Sequence, residues 1–85
     1  MKPVVLVGHR HECPLHGTNE VTSGVASVLF GARQVACVGD TTSCGARITS
    51  GASGVTVEGR QVACEGDRTD HGGTLVEGEP GVLID

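Results

Sequence analysis

The chain has 85 residues, ten acidic against six basic for a formal charge of −4, with one Phe, one Met and neither Trp nor Tyr. That length holds one domain, and a core with almost no aromatic surface is too thin to stand comfortably without a staple, which the four Cys and four His can supply. With no run of about 18 apolar residues and no Lys/Arg cluster, stable membrane insertion and a nucleic-acid partner are both excluded, and the absence of an export leader makes a reducing cytoplasm the expected compartment.

In chain order, Lys2-Pro3-Val4-Val5-Leu6-Val7-Gly8-His9 is an apolar run closed by glycine, followed by the turn Cys13-Pro14-Leu15-His16-Gly17 and by Val21-Thr22-Ser23-Gly24. The run returns as Arg33-Gln34-Val35-Ala36-Cys37-Val38-Gly39-Asp40, 31 residues on, and Cys13 then falls on Cys44. In this second copy Gly45 alone closes the turn that Pro14-Leu15-His16-Gly17 expands in the first. A third copy, Arg60-Gln61-Val62-Ala63-Cys64-Glu65-Gly66-Asp67, follows after 27 residues and matches Cys44 with His71, Gly51 with Gly78, Gly54 with Gly81 and Val57 with Ile84. Short strands are expected at 35–38, 48–50 and 55–57, and again at 62–65, 75–77 and 82–84, punctuated by glycine. No stretch between glycines is long enough to express a helical period.

Residues 1–31, 32–58 and 59–85 therefore read as three units of one domain, with no effector extension. A linear array of repeats needs atypical caps, and none is visible, so the units are expected to close in a ring that brings Met1 beside Asp85. The fold class expected is all-β, three pseudo-threefold repeats closed on one another without significant helix.

Threefold closure gathers Cys13, Cys44 and His71 near one axis, and the expanded turn adds His16 as a fourth ligand. Two thiolates and two imidazoles suit one structural Zn2+, with Zn–S near ~2.3 Å and Zn–N near ~2.0 Å, and a closed four-ligand site contributes folding energy directly. His11, two residues before Cys13, is a competitor for the metal. Cys37 and Cys64, flanked by Val and Ala, read as small buried hydrophobes, with a disulfide or a second metal site as alternatives. His9 stands where the other copies have Asp40 and Asp67, and reads as a solvated turn residue; the two aspartates are expected to hydrogen-bond nearby backbone. Two other functions compete: a small cytoplasmic zinc-binding adaptor or storage module, and a thiol enzyme with Cys13 or Cys44 as nucleophile and His16 or His71 as base. A pocket for a substrate is hard to build in so small a chain, so no enzyme activity is expected.

Cys13-Pro14-Leu15-His16-Gly17, Ser43-Cys44-Gly45-Ala46 and Asp70-His71-Gly72-Gly73, recurring in register, resemble the repeats of the PAAR family over essentially the whole chain. The chain departs from the family pattern at Gly8-His9, where Gly-Asp is usual, and at Gln34 and Gln61, where Pro is usual. The resemblance implies a β-structured cone with zinc near its apex. It also implies that the base caps the trimeric spike protein VgrG of a type VI secretion system or related contractile injection machine, one copy per trimer. A separate effector is a possible further partner. Assembly in the bacterial cytoplasm and delivery outside or into a target cell on firing are implied too.

Overall fold

Glycine and β-branched residues alternate so closely along this chain that no strand runs far before it must turn. The computed structural model describes residues 2–84, and among these it forms nine strands and no helix. They are β1 (Lys2–Val4), β2 (Arg10–Cys13), β3 (Gly17–Glu20), β4 (Val25–Phe30), β5 (Arg33–Val35), β6 (Thr56–Val57), β7 (Arg60–Gln61), β8 (Thr74–Leu75) and β9 (Glu79–Ile84). Every pairing is antiparallel: β2 lies between β3 and β8, β4 pairs with β5, β6 with β7, and β1 with β9.

Threefold repetition in sequence becomes a closed cycle of backbone contacts. Single bridges join Leu6 to Val35, Cys37 to Val62 and Cys64 back to Val4, the same two repeat positions each time. The hydrogen bonds follow the same circuit, Ala36 N donating to Val5 O (2.9 Å), Ala63 N to Ala36 O (2.9 Å) and Val5 N to Ala63 O (3.0 Å). Each unit thus satisfies backbone groups of its neighbour, which removes the free edges that an open row of short strands would expose. The β1–β9 pair, with Lys2 opposite Ile84 and Pro3 opposite Leu83, completes the circuit. Met1 and Asp85, expected side by side, lie outside the described residues.

Two apolar clusters fill the ring. One contains Val4, Leu6, Val25, Val35, Cys37 and Val62, and the other Val5, Val21, Ala36, Ile48, Ala63 and Leu75. Alternate residues of each apolar run point into different clusters, as a strand period of two requires. At Gly24 and Gly51 a Cβ would come within 2.9 Å of a backbone carbonyl of the next unit, Val35 O or Val62 O, so the absence of a side chain sets how closely the units approach.

The ladders differ in detail from the expected strands. The runs at 35–38 and 62–65 split, their first residues entering β5 or the bridge at Val62 and their later ones bridging a different unit, so no single pairing spans either run. Residues 48–50 contribute one bridge, Ile48 to Thr69, and 75–77 shifts to β8. The β2–β3 hairpin was not expected as strands: its exterior is polar, and what it turns inward is His11 and Cys13.

Candidate metal centre

In β2 the alternation of exposed and buried positions turns Cys13 inward, and Gly17 at φ 80° tightens the hairpin so that His16 folds back over it. Cys44 sits on a turn closed by Gly45 N to Thr42 O (3.0 Å) and Thr42 N to Ala46 O (2.9 Å), and His71 on the equivalent turn closed by Gly72 N to Thr69 O and Thr69 N to Gly73 O (3.1 Å each). Gly45 and Gly72 take φ of 87° and 78°, a left-handed conformation that a side chain would strain.

The three turns converge. Cys13 Sγ lies 3.6 Å from His16 Nδ1 and 3.8 Å from His71 Nδ1, and Cys44 Sγ lies 3.7 Å from His71 Nδ1. All four ligand atoms of Cys13, His16, Cys44 and His71 fall within 4.8 Å of one another. A tetrahedral ion with ordinary bond lengths to sulfur and nitrogen separates its S and N ligands by about 3.5 Å, close to these three sulfur–nitrogen distances, so the four residues could hold a metal ion after a small contraction of the cluster. Cys13 is buried, Cys44 and His71 are half-buried and His16 is exposed, with the His16 and His71 rings 5.3 Å apart.

The Cys44 thiol is poised as a ligand. Burial pushes its pKa up, but hydrogen bonds outweigh burial and hold it at about 6; they come from the Thr42 hydroxyl (3.3 Å), the Ala46 backbone, His71 and Cys13. At neutral pH it is largely thiolate, the form that binds metal.

The other sulfur and imidazole groups lie elsewhere. Cys37 and Cys64 are free thiols within the core, where burial and then the neighbouring Asp40 or Asp67 push their pKa up, so they pack as hydrophobes and form neither a disulfide nor part of this cluster. His11 is wholly buried but outside the four-atom group, its Nδ1 3.1 Å from Asn19 Oδ1 and its Nε2 2.9 Å from Thr69 Oγ1. His9 corrects the expectation of a solvated residue: it is 4% exposed, and its Nδ1 accepts a hydrogen bond from Leu6 N at 2.9 Å. Asp40 and Asp67 do the same for Cys37 N and Cys64 N at 2.7 Å. His9 therefore replaces a carboxylate as backbone acceptor, a role for which the repeat register was the available signal.

The three β units closed in a ring thus carry a Cys/His cluster whose four ligand atoms could hold a metal ion. A family model for the PAAR motif matches residues 1–50, more than half of the chain, and the chain belongs to that family, a family of structural components associated with type VI secretion spikes. The matched segment includes Cys13, His16 and Cys44; His71 enters through the third repeat. No curated protein matches the chain.

Proposed function

We propose that this protein is the tip of a contractile injection spike, capping a trimeric VgrG-type β-helix with one copy per trimer, and that Cys13, His16, Cys44 and His71 hold one structural Zn2+ at its vertex. The observation that carries this reading is the threefold build of the molecule away from the cluster. Val28, Val55 and Val82, with Phe30, Val57 and Ile84, are two sets of repeat equivalents, and together they line a wholly apolar cavity of about 130 Å³. A monomer has no use for a threefold apolar socket, whereas a trimer presents three equivalent side chains around one axis, and burying apolar surface there favours docking.

The three units, residues 1–31, 32–58 and 59–85, would each cover one strand system of the partner. Zinc would supply a cross-link among them, on the order of 10 kcal/mol apparent in small zinc domains, where the core is thinnest. Assembly in the bacterial cytoplasm would precede delivery across a target envelope, with a separate effector carried on an outer face. A lowered thiol pKa at Cys44 is also what a nucleophile requires, yet the same sulfur belongs to a cluster of four potential metal ligands. A structural site accounts for both facts.

The test is native mass spectrometry of the chain mixed with a VgrG-type spike trimer from the same source. One chain per trimer with one zinc is the expected result, and Val55→Glu should abolish the complex while leaving the zinc in place. Failure of the unmodified chain to bind the trimer would overturn the reading.

A further inference from the structure

Two residues before each of Cys13, Cys44 and His71 lie His11, Thr42 and Thr69, which form a buried polar layer against the metal centre. Two of the three are threonine. The third is an imidazole, a larger group whose burial is costly unless both nitrogens find partners. The chain accommodates it with two further departures from its own repeat. At the position of Ala46 the first unit has Asn19, whose Oδ1 faces His11 Nδ1. The third unit has Gly73 there, and a Cβ at Gly73 would collide with His11 Nε2.

The hydrogen bonds fix the tautomer. Asn19 Nδ2 donates to Gly17 O (3.0 Å), which leaves Asn19 Oδ1 as the atom facing His11, so His11 Nδ1 carries the proton. His11 Nε2 then accepts from the Thr69 hydroxyl, whose oxygen accepts from Gly73 N at 3.2 Å. The imidazole is locked on both sides; its one Nδ1 proton goes to Asn19, and the ring edge beside it packs against Cys44 Sγ, which lies 4.0 Å from Nδ1. Thr42 reaches the same sulfur at 3.3 Å.

We propose that His11 is a positioning residue for the metal centre: held by Asn19, Thr69 and the gap at Gly73, its ring edge packs against the Cys44 sulfur and, with Thr42, sets that sulfur toward the ion. The inference rests on the reading of Cys13, His16, Cys44 and His71 as a metal site. Groups that orient ligands without touching the metal commonly govern affinity by 10–100-fold. A packing role alone would be met by threonine, as at the two equivalent positions.

The experiment is titration of the full chain with Co2+, whose visible bands report tetrahedral geometry and whose near-ultraviolet thiolate charge-transfer band reports the cysteine sulfurs, with zinc affinity measured by chelator competition. The double substitution His11→Thr with Asn19→Ala gives the first unit the residues that the second already carries at Thr42 and Ala46. It should still bind one ion per chain, with affinity about 10–100-fold lower and a displaced charge-transfer band. Asn19→Ala alone frees the imidazole without deleting it, and should displace the band with a smaller loss; it decides the matter should the double variant not fold. Unchanged affinity and bands in the folded variants, whatever their melting temperature, would reduce His11 to packing while leaving the metal site standing. Absence of thiolate bands in the unmodified chain would overturn the metal site itself, and this proposal with it.

Discussion

His9 shows how one atom type can be exchanged within a repeat at the cost of a new sensitivity. Its Nδ1 serves Leu6 N only while the ring is neutral, whereas Asp40 and Asp67 serve their turns as carboxylates. Burial, and then the Arg33 guanidinium, lower the His9 pKa below 6.5, against the opposing pull of Glu77, Glu79 and Glu65. The folded state thus binds this proton less readily than the unfolded chain, so the stability involved is whole above about 6.5 and is lost as pH falls below it toward the folded value. Glu77 stands where the other units have Ser23 and Ser50, accepting from Arg10 N as those serines accept from Thr41 N and Arg68 N. The double substitution His9→Asp with Glu77→Ser should restore the arrangement of the other two turns, with Arg33 placed to pair the new carboxylate as Arg60 pairs Asp40 at 3.2 Å. In thermal melts between pH 7 and 5 the variant should lose less stability than the parent, by at most about 2 kcal/mol, the limit that proton linkage at one histidine of ordinary pKa 6.5 sets over that range. Parallel pH curves for the two proteins would refute the role given to His9.

The hairpin turns carry the next test. Gly31-Ala32 and Glu58-Gly59 each join two antiparallel strands with positive φ at both central residues, at Ala32 71° and at Glu58 54°. An L-residue in the left-handed region costs roughly 1–2 kcal/mol, so Ala32→Gly should raise stability by about 1 kcal/mol in chemical denaturation; a decrease would mean that Ala32 makes a compensating contact. These turns were legible in the chain as the junctions of its repeat, and so was the convergence of Cys13, Cys44 and His71, because register placed Cys44 on Cys13 and His71 on Cys44. Strand limits were not. In a ring of three short units each apolar run pairs with more than one neighbour, as Val35 does with Val25 and Leu6 while Cys37 turns to Val62, and hydrophobicity does not say where the switch occurs. The burial of His11 was hidden for a related reason: its partner Thr69 is brought to it from the third unit by tertiary structure.

For the molecule as a whole, stability must come from a ring whose largest fully buried apolar side chains are Leu6, Ile48 and Leu75, with no aromatic among them. Such a core offers little reserve, so removal of bound metal with a chelator is expected to lower the melting midpoint by about 20 °C or more, or to abolish cooperative melting. Cys44→Ala should mimic it. A midpoint that moves by only a degree or two on complete metal removal would show that the backbone circuit suffices without the ion.

The circuit closed by β1 and β9 has a further consequence. Lys2 pairs with Ile84 just as Arg33 pairs with Phe30 and Arg60 with Val57 across the two hairpin turns. The peptide bonds of this fold therefore have no privileged break. A circular permutant, opened between Gly31 and Ala32 and joined at the old ends through an Asp-Gly turn, should regain the parent's circular dichroism spectrum and metal stoichiometry. The chain's direction around the ring, not the point at which the ring is opened, would then be what the fold encodes.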